Sequence, residues 1–181
     1  MKHILFIPGL GGESTLQRQR TLVKRANSKN KTLHFFEPDW HGDESSKDKA
    51  RRLIEVIDSL PDEVHITGAS AGGSLSVVAM SERPDKIASV KLACPKLQGS
   101  RGIGPSYDKR SPALKGNVQL AEGALENMPE EQLKRFTVYK PITEMVVPLR
   151  DMNYGSMKVR RLPLAGHIVT IAFCLIFFLR R

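Results

Sequence analysis

The residues best suited to chemistry form a Gly-x-Ser-x-Gly segment, residues 68–72, in which Gly68 and Gly72 flank Ser70. The segment directly follows an apolar run, residues 63–67, that is typical of a β-strand. A serine in this position predicts a nucleophile elbow, where the chain turns sharply from a strand into a helix and glycines relieve the crowding. Because so short a pattern also arises by chance, its context must support the interpretation.

A serine nucleophile needs a general base, and the chain contains five histidines. His3, His34 and His65 lie in predicted strands, where a structural role is expected, and His41 lies in a polar loop. His167 differs because it follows the last predicted strand and precedes the last apolar segment. That order places it at the carboxyl edge of a parallel sheet, together with the serine, so we predict that it is the base.

The base in turn needs a carboxylate that fixes its tautomer. Two acids follow the fifth predicted strand: Glu144 closely, and Asp151 seven residues further along the loop. A carboxylate at the end of a strand is better fixed than one within a loop. Glu144 is therefore the preferred acid, and Asp151 is the alternative.

Strand and helix patterns alternate along the chain, which predicts parallel strands joined by crossover helices on both faces of the sheet. We expect an α/β fold, namely one domain over residues 1–181 that forms a three-layer α/β/α sandwich with a mainly parallel sheet of about six strands. Residues 95–116 lack periodicity and predict a loop or small cap. The predicted strands cover residues 3–7, 32–36, 64–67, 86–93, 136–142 and 157–162. The predicted helices cover residues 14–26, 46–60, 72–82, 118–134 with an interruption near Pro129, and 168–179.

The composition, with 40% hydrophobic and 26% charged residues, is that of a globular protein. A net charge of +9 raises the question of nucleic acid, but the basic residues are dispersed and have no interleaved aromatic side chains, so we predict no nucleic-acid partner. Cys94 and Cys174 fit neither a disulfide framework nor a zinc spacing. The amino-terminal segment predicts a strand and not a secretory leader, so the expected location is the cytoplasm.

Four segments together resemble the signature regions of the α/β-hydrolase superfamily: residues 8–12, 68–73, 144–148 and 166–167. Their nucleophile, acid, base order is also that of these hydrolases. The resemblance covers nearly the whole chain and is greatest to small members with a reduced sheet and little cap. It implies that Ser70 attacks, that His167 transfers the proton and that Glu144 orients His167.

The same resemblance implies an oxyanion hole made by the backbone N–H groups of Leu10 and Ala71. It requires no metal ion and no organic cofactor. A nucleotide-binding interpretation of residues 8–12 is rejected because no Gly-Lys-Ser/Thr ending follows the glycines.

The last segment, residues 168–179, is apolar on all sides, whereas the last helix of a hydrolase sheet should have a polar face. Twelve helical residues span about 18 Å, which is short of the roughly 30 Å hydrocarbon core. A buried helix is preferred, while membrane contact through residues 168–181, with Arg180 and Arg181 among anionic headgroups, and an altered tail remain alternatives.

These patterns predict a serine hydrolase that cleaves a carboxylic ester, or an amide or thioester, of a small-molecule acyl substrate through an acyl-enzyme. Residues 95–116 and the neighbourhood of Trp40 and His41 are expected to select the substrate. The alternative is a non-catalytic binding or scaffold protein that keeps the hydrolase fold and associates with a membrane through its apolar last helix. The sequence leaves the oligomeric state open.

Overall fold

The computed structural model describes residues 1–180, without the side chains of Asp108, Leu179 and Arg180, so the basic pair at positions 180 and 181 lies outside the described side chains. The strands are β1 (Lys2–Ile7), β2 (Lys31–Phe35), β3 (Val64–Ala69), β4 (Ile87–Ala93), β5 (Phe136–Thr143) and β6 (Lys158–Ala165). The helices are α1 (Glu13–Arg25), α2 (Ser46–Ser59), α3 (Gly72–Glu82), α4 (Pro105–Arg110), α5 (Ala113–Asn127), α6 (Glu130–Leu133) and α7 (His167–Arg180).

The six strands form one parallel sheet in the order β2-β1-β3-β4-β5-β6. The chain first extends the sheet to one side of β1 and then crosses to the other side, so the crossover helices lie on opposite faces. This arrangement confirms the predicted α/β class and the six-stranded parallel sheet. Because all strands run the same way, their carboxyl ends, and the loops that follow them, meet at one edge.

Side chains in β1 show how the sheet is buried on both faces. Leu5 and Ile7 pack with α2, α3 and α5, whereas Ile4 and Phe6 pack with α1 and α7. The alternation follows from the two-residue period of a strand. A strand covered on both sides needs apolar residues at every position, which explains the continuous apolar run that β1 shows in the sequence.

Helix α3 is buried along most of its length, from Gly72 to Met80, because it lies between the sheet and the helices α2 and α5. It consequently has no polar stripe, unlike α2, whose buried residues include Leu53 and Ile57. The start of α2 is fixed by Ser45, whose hydroxyl accepts a hydrogen bond from the Asp48 amide at 3.2 Å.

The segment 95–116 contains a 3₁₀ turn, Ser100–Gly102, and the short helix α4. Helix α5 then begins at Ala113, five residues before the predicted start, because Pro112 is well suited to a helix amino terminus. The predicted interruption of the 118–134 helix near Pro129 is confirmed, since the chain turns at Met128 and Pro129 between α5 and α6. Strand β6 continues past its predicted end through Pro163, which an edge strand tolerates.

Helix α7 packs on the same sheet face as α1. Thr170, Cys174, Leu175 and Phe178 are buried against β1, β4 and β5, while the residues between them are exposed or half-buried. The predicted last helix is therefore present, but it is not wholly buried as preferred from the sequence, because one side packs against the sheet and the other is open. None of the helices within residues 1–180 combines the length and the apolar character needed to cross a bilayer.

Candidate active site

Ser70 directly follows β3 and has a φ of +49°, in the left-handed region that is uncommon for residues other than glycine. The turn is held by the Ser70 amide, which donates to the Ala93 carbonyl at 3.0 Å. The Ser70 carbonyl accepts from the amides of Gly73 at 2.9 Å and Lys96 at 3.0 Å. The strand, sharp turn and helix α3 thus form an elbow with the serine at its apex.

Gly68 and Gly72 are required because other atoms of the protein lie where a Cβ atom would be. A Cβ atom at position 72 would clash with the carbonyl group of Ile7, at the end of the neighbouring strand β1. A Cβ atom at position 68 would lie 2.5 Å from the hydroxyl oxygen of Ser76, on the first turns of α3. Both positions therefore admit only glycine without displacement of the backbone or the helix.

His167 lies at the start of α7, immediately beyond β6, and is buried. Its Nδ1 atom is 3.0 Å from Oε2 of Glu144, which follows β5. An ionised carboxylate only accepts hydrogen bonds, so Nδ1 carries the proton of this bond. The Nε2 atom of a neutral ring then has a free lone pair, which is the state required of a general base.

Glu144 is fixed by further hydrogen bonds within its own loop. Its Oε1 atom accepts from the amides of Val146 at 2.7 Å and Val147 at 3.3 Å, while Oε2 faces His167. The side chain has no solvent exposure. Both carboxylate oxygens therefore have donors, and the orientation of the acid toward the imidazole is specified by backbone that follows β5 directly.

Asp151, the alternative acid, has a different partner. Its Oδ2 atom lies 2.6 Å from Nζ of Lys96, and both side chains are largely buried, with 12% and 14% exposure. Arg150 Nε approaches the other oxygen at 3.7 Å. The structure thus brings Glu144, and not Asp151, to His167, and it gives Asp151 an ion pair that the sequence did not predict.

Ser70 opens into a cleft of about 510 Å³ at the carboxyl edge of the sheet. One wall comes from the segment after β4, and the other comes from the loop that follows β5. Residues 95–116, which are expected to select the substrate, thus border the cleft, and their role in selection stays a prediction. The lining residues include Lys96, Gly99, Gly102, Ile103, Tyr107 and Leu114 from the first wall and Val146, Val147, Pro148, Arg150 and Asp151 from the second.

Leu10 and Ala71, the predicted oxyanion donors, also line this cleft beside Ser70. Leu10 belongs to the glycine-rich loop after β1, and Ala71 is the first residue of the turn into α3. Across residues 1–180, neither backbone N–H donates to another group of the protein. Both amides are consequently available to an oxygen atom bound in the cleft.

Trp40 and His41 support the glycine-rich loop that follows β1. The indole N–H of Trp40 donates to the Pro8 carbonyl at 3.1 Å, and Trp40 is buried. His41 contacts the carbonyls of Gly11 and Arg110 through its two ring nitrogens. Neither residue lines the cleft, so neither is placed to contact a substrate bound there, as their expected role in substrate choice would require. Trp40 instead supports the loop that carries Leu10.

The structure thus brings Glu144 and His167 into contact and places Ser70, Leu10 and Ala71 together in the cleft. In the described part of the chain, the Ser70 hydroxyl does not hydrogen-bond to His167. Catalytic hydrogen bonds are often long before a substrate binds and shorten in the complex.

Cys94 follows β4 and lies next to the acid–histidine pair. Within residues 1–180, the potential ligand atoms of Cys94, Glu144 and His167 all lie within 4.8 Å of one another, which is close enough to hold a metal ion. Burial, and then the charge of Glu144, raise the pKa of the Cys94 thiol well above its ordinary value. A thiol binds metal as the thiolate, so these residues make a poor metal centre.

The parallel sheet, the serine elbow and the loops at its carboxyl edge define the α/β-hydrolase fold. Solved structures of several hydrolases share it over nearly their whole length. A monoacylglycerol lipase from Paleococcus ferrophilus superposes with a TM-score of 0.66 and 14% identity, over 98% of this chain and 93% of the other. A pyrethroid hydrolase from Sphingobium faniae JZ-2 gives 0.63 and 15% identity, over 98% and 97%.

A hydrolase from Oleispira antarctica is similar as well, with a TM-score of 0.62 and 13% identity, over 100% of this chain and 92% of the other. No protein-family model matches the chain, and no curated protein matches it by sequence. At this level of identity the likeness establishes the fold, and the chemistry must be argued from the site itself.

Proposed function

We propose that this protein is a serine hydrolase that cleaves a carboxylic ester through an acyl-enzyme, with Ser70, His167 and Glu144 as its triad. The observation that carries the proposal is the 3.0 Å contact between His167 Nδ1 and Glu144 Oε2, at the same sheet edge as the Ser70 elbow. A buried carboxylate that orients a histidine at the sheet edge that carries a strained serine has the parts of an acyl-transfer site. The named hydrolases of the same fold support this class of reaction.

In the first step, Ser70 Oγ attacks the ester carbonyl and His167 Nε2 takes the hydroxyl proton. The carbonyl oxygen becomes an oxyanion, which accepts hydrogen bonds from the amides of Leu10 and Ala71. Collapse of the intermediate breaks the bond to the alcohol, which leaves with the proton from His167. Water then attacks the acyl-enzyme, His167 takes its proton, and the acid is released as that proton returns to Ser70 Oγ.

The cleft supports a small acyl substrate. Leu10, Ile103 and Leu114 offer apolar contacts near the serine. Lys96 and Arg150 line the wall together with Asp151, which pairs with Lys96, so these three residues leave a single net positive charge there. Amides and thioesters react by the same steps, and an ester is the preferred substrate because its leaving group needs less assistance. The site as proposed requires no metal ion or organic cofactor.

Reaction with a fluorophosphonate probe tests the proposal directly, because the activated serine displaces fluoride and becomes phosphonylated. We expect one label per chain, at Ser70 by peptide mapping. Ser70→Ala should abolish labelling, and His167→Ala should lower its rate by about 100-fold or more. Ser76→Ala serves as the matched control, since Ser76 lies in α3 and donates to the Gly72 carbonyl at 2.8 Å.

A folded wild-type protein that never labels would overturn the enzyme proposal. That result would favour the rival class, a binding or scaffold protein that keeps the hydrolase fold. Circular dichroism and a cooperative unfolding transition on the same sample separate this outcome from a failure to fold.

A further inference from the structure

The outward side of α7 presents large apolar side chains to solvent. Ile168, Val169, Phe173 and Ile176 are between 47% and 79% exposed, and we refer to these four residues as the apolar strip. They recur at helical spacing, opposite the buried side that contacts the sheet. An exposed contiguous apolar surface of this kind marks a site of interaction.

Two further exposed apolar residues lie at the mouth of the cleft. Met145 is 96% exposed and Val146 is 57% exposed, in the loop after β5. That loop is tied to the start of α7, because the Gly166 amide donates to the Thr143 carbonyl at 3.0 Å and His167 contacts Glu144. Since Val146 also lines the cleft, exposed apolar residues lie both on α7 and at the entrance beside Ser70.

Basic side chains flank the apolar strip on the β6 side. Tyr139 packs edge-on against Phe178 of α7 with ring centroids 4.9 Å apart, and its neighbour in the sheet is Arg160. Neighbouring residues in register project to the same face, so Arg160 and, two positions earlier, Lys158 lie on the α7 face of the sheet. Both are exposed.

Basic side chains also flank the strip on the α1 side. Helix α1 shares the α7 face of the sheet and carries exposed Arg18, Lys24 and Arg25. Its one acidic residue, Glu13, lies in the first turn. Helix α7 contains no acidic residue between positions 167 and 180. The face is therefore apolar at its centre and basic on both sides, in a chain of net charge +9.

We infer that this face docks on an anionic lipid surface, with α7 lying in the plane of the interface and the apolar strip entering the headgroup region. Interfacial helices bind through buried apolar area together with attraction between basic residues and anionic lipids, and this face supplies both. A second copy of the chain would meet the same basic residues across the contact and be repelled by them. Charge complementarity thus favours the lipid.

Docking of this kind leaves the candidate active site intact. The buried side of α7 stays against the sheet, and only the exposed side enters the interface, so the contact between His167 and Glu144 is preserved. The exposed rim at Met145 and Val146 then meets the lipid beside the cleft. It follows, resting on the proposed function, that the substrate is an acyl ester held in the lipid phase.

Flotation of the full chain with vesicles tests the docking. We expect binding to vesicles of phosphatidylglycerol and phosphatidylcholine, at least about tenfold weaker binding to phosphatidylcholine alone, and weakening as salt is raised. Phe173→Gln with Ile176→Gln should lower binding to the anionic vesicles by about tenfold or more, because it removes exposed apolar area that enters the lipid. Lys158→Gln with Arg160→Gln should lower it by about fivefold per charge.

Matched controls lie on the opposite face of the sheet. Lys47 of α2 and Lys115 of α5 are exposed there, so Lys47→Gln with Lys115→Gln removes the same charge without weakening binding to the same extent. Val159 is an exposed aliphatic residue in register with Val138, which belongs to the core on that face, so Val159→Gln should leave binding unchanged. Unfolding midpoints of all variants exclude loss of fold as the cause.

Three results would overturn the docking. The first is a wild-type chain that does not float with either vesicle type, and the second is a Phe173→Gln/Ile176→Gln variant that binds vesicles as the wild type does. The third is a wild type that sediments as a dimer without lipid while this variant sediments as a monomer. The Ser70→Ala variant should float as the wild type does, so docking is measured apart from catalysis.

Turnover then separates the docking from the proposed function. We expect Phe173→Gln/Ile176→Gln to lose about tenfold in hydrolysis of a long-chain umbelliferyl ester in anionic vesicles, with hydrolysis of a short soluble ester unchanged. If the wild type hydrolyses neither ester, the proposed function fails. If it hydrolyses the soluble ester and gains nothing from vesicles, the lipid-phase inference fails.

Discussion

The Oε2 atom of Glu144 lies 3.0 Å from Nδ1 of His167, although 22 residues and the whole of β6 separate them in the chain. Glu144 follows β5 and His167 lies just beyond β6, and these two parallel strands are neighbours in the sheet. The contact therefore follows from the order of the strands. The Glu144 carboxylate also accepts hydrogen bonds from two backbone amides, which fix its orientation. This contact is the most specific feature of the candidate site, and the first two predictions address it.

Glu144→Gln should lower kcat for ester hydrolysis by about 10³-fold with little change in KM. The amide keeps the shape of the side chain but lets the imidazole adopt the tautomer in which Nε2 carries the proton and cannot act as a base. Steady-state kinetics on a chromogenic ester measure the effect. Glu144→Asp, which keeps the charge, should recover part of the lost rate, and a Gln variant as active as wild type would remove Glu144 from the triad.

Asp151→Asn should affect stability more than catalysis, because its partner is Lys96. Removal of the carboxylate leaves a largely buried ammonium without its counter-charge, which we expect to lower the free energy of unfolding by about 1–3 kcal/mol. Urea unfolding measures that loss. Fluorophosphonate labelling of Ser70 should persist in this variant. A variant with wild-type stability and no labelling would assign Asp151 the role that we propose for Glu144.

Ser70→Gly should stabilise the fold while it abolishes activity. The φ of +49° at Ser70 is strained for a residue with a Cβ atom and unstrained for glycine. Relief of that strain exceeds the added entropy of the unfolded chain, for a net gain of about 1 kcal/mol, or about 2–4 °C in Tm. Ser70→Ala is the matched control, since it removes the hydroxyl and keeps the Cβ. Equal Tm values for the two variants would show that the elbow stores no strain.

Acid should destabilise the protein through two histidines in the sheet. Burial, and then the charge of His3, lower the pKa of His34, while burial, and then Lys2 and Lys91, lower that of His65. Because both folded-state pKa values lie below the ordinary 6.5, the unfolded chain binds more protons. The stability that the two neutral rings contribute is complete above about pH 6.5 and is lost as the pH falls through the folded values.

Urea midpoints at pH 7.5 and pH 5.5 measure this dependence, and we expect the lower midpoint at pH 5.5. The double variant His34→Gln/His65→Gln should show a smaller difference between the two pH values. An unchanged difference would mean that other groups account for the acid sensitivity.

Trp40→Phe should weaken catalysis without a contact to substrate. The change removes the indole N–H that binds the Pro8 carbonyl and so loosens the loop that carries the Leu10 amide. We expect a loss of about 1–3 kcal/mol in stability, from the buried carbonyl left without a donor, and a fall in kcat with KM nearly unchanged. A variant with normal kcat would show that the loop holds its position without this bond.

Most of the fold follows from local patterns. All six strands and the helices α1, α2, α3 and α7 were predicted within about three residues, because apolar runs, glycine turns and helix caps are properties of short segments, whereas α4 was not predicted and α5 was predicted to start five residues late. The errors occur where contacts with distant parts of the chain decide the bounds of an element. Strand β6 runs through Pro163 because it is an edge strand, and the early start of α5, which Pro112 permits, also depends on the packing of that segment against α3 and α4. Neither fact is visible from the residues themselves.

The sequence by itself determined the α/β class, the elbow segment around Ser70, and the choice of His167, Glu144 and Asp151 as candidates, because each depends on residue type and on position relative to a strand end. Only the tertiary structure decided which carboxylate contacts His167 and which side of α7 is exposed. Both depend on contacts between segments far apart in the chain, which strand order and helix packing create and which no local pattern records.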